Sequence, residues 1–404
     1  VAHLLLLYAA TGAVVGMLAA ALARVLAFLQ AWWLGGVIGY LPPGPSGEGG
    51  LGQVFSNPTP WVGLLLVPAI FALASFLGSN RGLSRLILAF HSDERMPLTT
   101  QLRYIAGSLV ELTAGSPLGR EGPMAVLGDW VGRRATKWIG PAEEANLIFA
   151  GLAAGFASAF HAPLTGALLA TEIFYKGFRL EAQGLTAALV GAFAGFAVSG
   201  AFLGYGPLID LAPGSIGQID ILAALGLGLA GAAGASLLSS LTHAISGLGQ
   251  RLTFWQRHLL LGLALSALAT AAPEVLGDGL GWIEVSTAPV LATATLAVLL
   301  ALRFLLQSLF VGLGGYGAPL TPTLVLGGLL GLIFARALPW PVDPEAMALA
   351  GMAALLASAV RTPLAAVALA SELADYRVLP VVLPAVVLSY LLSKDTLLPE
   401  QRPS

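Results

Sequence analysis

Hydrophobic residues run through this chain in long blocks rather than in short periodic patches. Apolar stretches recur at roughly 4–31, 60–77, 145–170, 183–204, 219–238, 258–272, 288–310, 323–337, 346–370 and 378–392. A helix crossing the hydrocarbon of a bilayer needs about 20 such residues. Some blocks reach that length; others fall short or are cut by Gly and Pro. The pattern predicts an all-α polytopic membrane protein with many tilted and partial helices. Interrupted segments at matching places of two halves point to a transporter's binding site. No polar stretch is long enough for a soluble regulatory domain, so residues 1–404 read as one transmembrane domain. The first block opens apolar at Val1 and His3, with no basic lead and no small-residue cleavage site. It reads as a mature membrane helix rather than a signal peptide.

Composition sharpens this picture. Hydrophobic residues make up 57% of the chain and charged residues only 10%, with a mean hydropathy of +0.85. A soluble domain carries about 25% charged residues, so this chain suits a lipid-facing surface. Its 50 Gly and 25 Pro fit membrane helices, where small residues let backbones approach. The net charge of −2 gives no basis for a nucleic-acid partner. The absence of Cys removes disulfides, thiolate metal sites and cysteine nucleophiles.

The two halves match each other. Ala150-Gly151, Ala153-Ala154, Ala157-Ser158-Ala159, Pro163-Leu164, Ala170 and Glu172 all reappear. Their counterparts are Ala350-Gly351, Ala353-Ala354, Ala357-Ser358-Ala359, Pro363-Leu364, Ala370 and Glu372, an offset of 200 (351 − 151). Gly115, Pro123, Leu127, Gly128 and Gly132 return as Gly314, Pro322, Leu326, Gly327 and Gly331, an offset of 199 (314 − 115). Repeat one is expected over about 60–205 and repeat two over about 258–393. Lys176 and Arg179 follow Glu172, whereas Asp375 and a single Arg377 follow Glu372. Positive charge collects on the cytoplasmic side, so this asymmetry suggests that the repeats are inverted.

The densest chemistry lies in Gly115-Ser-Pro-Leu-Gly119-Arg120-Glu121-Gly122-Pro123. Pro123 suits the first turn of a helix, and Gly119 and Gly122 permit close backbone approach to a ligand. The free N–H groups of such a start carry about half a positive charge and form an anion site. Gly317-Ala318-Pro319-Leu320-Thr321-Pro322 makes an equivalent start in the second repeat. Glu121 can occupy that site when ionised and leave when protonated; the alternative is a structural Glu121 paired with Arg120.

Gly119-Arg120-Glu121-Gly122-Pro123 resembles the signature of the CLC family of chloride channels and chloride/proton antiporters. The resemblance extends to Ala159-Phe-His161-Ala-Pro163-Leu-Thr-Gly166, to Ala359-Val-Arg361-Thr-Pro363-Leu364 and to the Gly-rich approach Gly312–Gly317. It implies an inverted-repeat fold of about 17–18 helices and a homodimer with one anion pathway per subunit. It further implies a bacterial inner-membrane location with no cofactor, and Glu121 as the gate that competes with the permeating anion, most simply chloride. The family's first amphipathic helix is expected to be truncated or absent here.

The sequence also departs from the family pattern. The first anion loop, usually Gly-Ser-Gly-Ile-Pro, corresponds to the stretch with Ser79, Arg81 and Gly82. Alignment on Ala89-Phe90-His91 puts Arg81 at the central serine; Arg81 would then hold the central anion, or face the vestibule and raise local anion concentration. Leu320 stands where the second loop carries Phe, and Leu398 where the family carries a late tyrosine. Backbone donors near Gly82, Gly119, Arg120, Gly122, Ala318, Pro319, Leu320 and Thr321 are left to hold the anion. The inner proton glutamate of the antiporters corresponds to Ile173, after Glu172, so uncoupled or weakly coupled transport is expected. Proton-coupled chloride or fluoride antiport is the alternative, with Glu111 as an extra carboxylate that either serves protons or bonds to nearby backbone or Arg.

Other signals carry less. Gly226-Leu-Gly228-Leu-Ala-Gly231 matches a dinucleotide fingerprint but has no acidic partner, and reads as helix packing. Gly151/Gly155 and Gly191/Gly195 read the same way. His91 and His161 are isolated, with no metal-ligand spacing. Ser239-Ser240 with His243 lacks a nucleophile motif, so an enzyme is not expected.

Overall fold

The computed structural model describes residues 2–48, 61–78, 82–92, 96–138, 140–289 and 291–402. Ser79 and Arg81 lie outside the described residues. Among the described residues stand sixteen α-helices, six short 3-10 segments and one π segment, with no strand. This agrees with the expected all-α fold of tilted and partial helices, some of which are single 3-10 turns, as at Pro273–Val275 and Tyr376–Val378. Among the described residues, six helical stretches are long and apolar enough to cross a membrane, including Ala182–Leu203, Gln218–Gly249 and Thr293–Leu313. Leu65, Phe193, Leu222 and Val298 lie exposed on such helices, as a lipid-facing surface requires.

Two expected spans are each two helices. The block at 145–170 divides into Glu144–Phe160 and Pro163–Glu172. The block at 346–370 divides into Pro344–Ala359 and Pro363–Leu373. His161 and Arg361, matching positions of the repeat, take left-handed φ values of 54° and 63°. A proline two residues later has no N–H to continue the ladder. The block at 219–238 runs on as one helix, Gln218–Gly249, of 32 residues. Ser239, Ser240 and His243 end the apolar run without ending the helix.

Glycine sets the closest helix crossings, and the two repeats use it alike. A Cβ on Gly128 would stand 2.2 Å from the Gly151 carbonyl oxygen. A Cβ on Gly327 would stand 2.3 Å from that of Gly351. Gly132 and Gly331 likewise press on the carbonyls of Leu147 and Met347, at 2.4 and 2.1 Å. The N-terminal helix Ala2–Gln30 adds the same contact, with Gly12 and Gly16 against Gly191 and Gly195. Gly226 and Gly228 face Phe334 and the Ala385 backbone, so the fingerprint-like glycines are packing residues. In lipid, where burial from water drives helices together weakly, such close approach is what dispersion needs.

Gly327→Val forces a side chain onto a backbone carbonyl, an overpacking that costs about 1–3 kcal/mol or more. Gly247→Ala meets nothing within 4 Å. Thermal denaturation in detergent is expected to show a lowered transition for the first variant and an unchanged one for the second.

Candidate functional site

Three helix starts converge at the centre of the protein. Glu121–Ala135 and Leu320–Ala337 both carry proline as their third residue, Pro123 and Pro322. The helices before them end at Thr113 and Leu313. Each approach turns soon afterwards at a glycine of positive φ, Gly115 at 100° and Gly314 at 82°. The approaches then join. Gly119 N–H donates to Ala318 O at 2.9 Å, and Ala318 N–H to Gly119 O at 3.0 Å. The third start is Gly82–Ser92. A Cβ on Gly82 would stand 2.1 Å from the Tyr104 ring, and one on Gly122 would stand 2.5 Å from the Tyr104 hydroxyl. That hydroxyl donates to Gly317 O at 2.9 Å. Tyr104, which has no local motif to announce it, is the post around which the three starts gather.

Glu121 is fully buried. Its carboxylate accepts from the Thr321 N–H at 2.9 Å and from the Thr321 hydroxyl at 2.7 Å. A Cβ on Gly119 would fall 1.9 Å from its Oε2, so the carboxylate lies directly over that glycine. The expected alternative, Glu121 paired with Arg120, is not what the structure shows. Arg120 forms an ion pair with Glu48 and donates to Ala159 O at 3.3 Å. Its guanidinium is neutralised by a carboxylate distant in sequence. Leu320 is fully buried.

Two cavities reach this centre. One, of about 300 Å³, is lined by Gly82, Gly317, Pro319, Leu398 and the end of Gln218–Gly249. The other, of about 220 Å³, is lined by Arg120, Glu48, Asp278 and Gly277. Both touch Leu118, the neighbour of Gly119. The long helix shows that they open on opposite faces. Its first turn meets Asp343 through Asp220, on the side where Gly47 and Leu208 pair. Its last turns border the Leu398 cavity about 40 Å away at 1.5 Å per residue.

Glu172 and Glu372 cap each other's partner helices. Glu372 accepts from Leu164 N–H at 2.8 Å, Thr165 N–H at 2.7 Å and the Thr165 hydroxyl at 2.6 Å. Glu172 accepts from Leu364 N–H at 3.1 Å and Ala365 N–H at 3.0 Å. The repeat match of 172 with 372 was a signal for this pairing. Ile173 is buried, and its carbonyl accepts from the Gln401 amide at 2.9 Å. Glu111 meets both a backbone amide and a side chain. It accepts from Tyr316 N–H at 2.8 Å and pairs with the Nδ1 of His258, both side chains fully buried. His258 went unnoticed in the sequence, lying 147 residues from its partner.

Comparison with known proteins agrees with this geometry. The family described as voltage gated chloride channel matches residues 62–394. The chain belongs to the voltage-gated chloride channel family. A protein described as ClcB-like, from Ralstonia nicotianae, is 29% identical over 90% of this chain and 88% of its own length. An H(+)/Cl(−) exchange transporter ClcA of Klebsiella pneumoniae is 30% identical over 67% of this chain; the match spans 60% of ClcA. A solved CLC-type fluoride/proton antiporter superposes with a TM-score of 0.83 at 22% identity, covering 99% of this chain and 97% of that one. A slow cyanobacterial Cl−/H+ antiporter gives 0.81 at 22% identity, covering 96% and 93%. Those likenesses establish the fold: this member of the voltage-gated chloride channel family is an all-α, multi-pass membrane protein.

Glu372→Ala strips three acceptor contacts from a buried helix start, each worth about 1.5–3 kcal/mol for a charged group. Arg377→Ala breaks only the exposed pair with Asp375, which solvent and salt screen. Melting of the purified protein is expected to fall strongly for the first and to stay unchanged for the second.

Proposed function

We propose that this protein carries small inorganic anions, chloride first among them, across a membrane through a site gated by Glu121. One observation supports the reading above the others. The carboxylate of Glu121 already sits, as an anion would, on the N–H and hydroxyl of Thr321. It does so at a buried helix start, where free amides favour negative charge. An incoming anion and this carboxylate compete for the same donors. Protonation removes the charge and weakens the carboxylate's hold, which frees the site. Ala318, Pro319, Leu320 and Thr321 supply the second repeat's start, Gly119 and Gly122 let the first one come close, and Gly82 opens the third. Ser79 and Arg81 precede that third start, where Arg81 serves as an anion attractor. Arg120 anchors its loop through Glu48, and Leu398 walls the cavity without a hydroxyl. The working unit is a homodimer in lipid, one pathway per subunit, with no cofactor.

A second reading, exchange of anion for protons, is favoured by the buried Glu111–His258 pair. The His258 Nε2 has no hydrogen-bond partner among the described residues. With Ile173 apolar, protons moving from the Leu398 side cannot use position 173. Glu111 lies just behind the cavity wall: a Cβ on Gly315, which lines that cavity, would be 3.4 Å from Glu111 Oε2.

Anion flux from liposomes is expected to rise as pH falls, by about 10-fold if protonation removes about 1.4 kcal/mol of the carboxylate's hold. In Glu121→Gln the flux is expected to be independent of pH. A variant whose pH profile matches the parent's would rule out the gate, and chloride, fluoride and nitrate measured side by side assign the substrate.

A further inference from the structure

The larger cavity contains an acid that none of these steps uses. Glu400 lines it together with His243, Gln250 and Arg257. Among the described residues lining the cavity, Glu400 is the one acid; His243 and Arg257 are the other ionisable groups. The remaining walls, from Gly82–Ser84, Leu118, Val311–Gly315, Gly317 and Pro319, carry no charge.

Glu400 is half-buried. Its Oε2 is shielded and has no hydrogen-bond partner among the described residues. A shielded carboxylate oxygen with no protein donor is left to pair with water or a proton from the cavity. The Arg257 Nε donates to Leu252 O at 3.1 Å.

The backbone carrying Glu400 is held firmly. The Gln401 amide donates to Ile173 O at 2.9 Å and to Val360 O at 2.8 Å, and its Oε1 accepts from the Thr396 hydroxyl at 2.8 Å. Arg402 N–H donates to Phe174 O at 3.1 Å, and Lys176 N–H to Arg402 O at 2.8 Å. These bonds clamp the C-terminal segment onto residues 173–176, so Glu400 is the sequence neighbour of a residue in contact with Ile173. The same cavity touches Leu118 and Pro319, which flank the Glu121 site. It also touches Gly315, where a Cβ would stand 3.4 Å from Glu111 Oε2.

We propose that Glu400 is the proton-loading acid of this cavity. It takes a proton from solution and releases it to cavity water, on the way to Glu111–His258 and Glu121. Only a proton moves; no bond to carbon is made or broken. A carboxyl group at position 400 thus serves where the chain has an isoleucine at 173. The proposal rests on the exchange reading above.

The test uses the full chain in liposomes under a chloride gradient, with chloride and proton movement recorded together. Wild type is expected to move protons uphill. Glu400→Gln is expected to keep anion flux within about two-fold, while protons moved per anion fall on the order of 10-fold, the loss of a positioned acid. Glu400→Asp is expected to keep the ratio, which a merely structural side chain would not require. Glu400→Ser repeats the test if the Gln variant does not purify as a single species. An unchanged ratio in Glu400→Gln overturns the proposal and leaves the exchange reading standing. Absence of proton movement in wild type overturns both. A pH-insensitive wild-type flux overturns the Glu121 gate separately.

Discussion

Two antiparallel hydrogen bonds between Gly119 and Ala318 tie the start of one broken helix to the start of another, and the site is laid out around them. An amide left unpaired in hydrocarbon costs several kcal/mol. A helix that begins in the middle of a membrane therefore needs something to satisfy its first N–H groups. Here part of that need is met by the opposite approach, and part by the Glu121 carboxylate on Thr321. On the proposed function, an anion answers the residual demand for negative charge. Gly119 makes the arrangement possible, because any side chain there would collide with Glu121.

The same solution recurs across the repeat. Glu172 satisfies the start at Pro363, and Glu372 the start at Pro163. In each case a carboxylate of one half caps a helix of the other. Glu372 accepts three contacts there, and Glu172 accepts two from consecutive amides. Glu121 differs in lying beside Leu118, which both cavities reach. Its counterpart in the second half, by the offset of 199, is Leu320 (320 − 121), which has no charge to offer. The halves differ at this position: a carboxylate stands at the first repeat's helix start and an apolar side chain at the second's.

Much of this was legible from residue order alone. Repeated Gly, Pro and Glu at offsets of 199 and 200 reflect local needs: close crossings, first-turn prolines and caps. Those needs write themselves into short motifs. The breaks at His161 and Arg361 were not legible, because a left-handed residue that is not glycine leaves no trace in a hydropathy profile. Arg361 holds its turn by donating to the Lys176, Tyr390 and Ser393 carbonyls, all far along the chain. The pairs Arg120–Glu48 and Glu111–His258 were hidden for the same reason, since they span 72 and 147 residues. The Arg120 side chain pairs with Glu48, a partner that no local motif announces. Tyr104 gathers three loops through its ring and hydroxyl, a role set by shape and not by any pattern around it.

The account stands on the idea that Glu121 occupies an anion's place. The most direct measurement is an anomalous-scattering structure of Glu121→Gln grown with bromide at acidic pH. A bromide peak within hydrogen-bond reach of the Thr321 N–H, with the substituted side chain moved off it, is the predicted result. A side chain still seated on Thr321, with bromide bound elsewhere or nowhere, would contradict it.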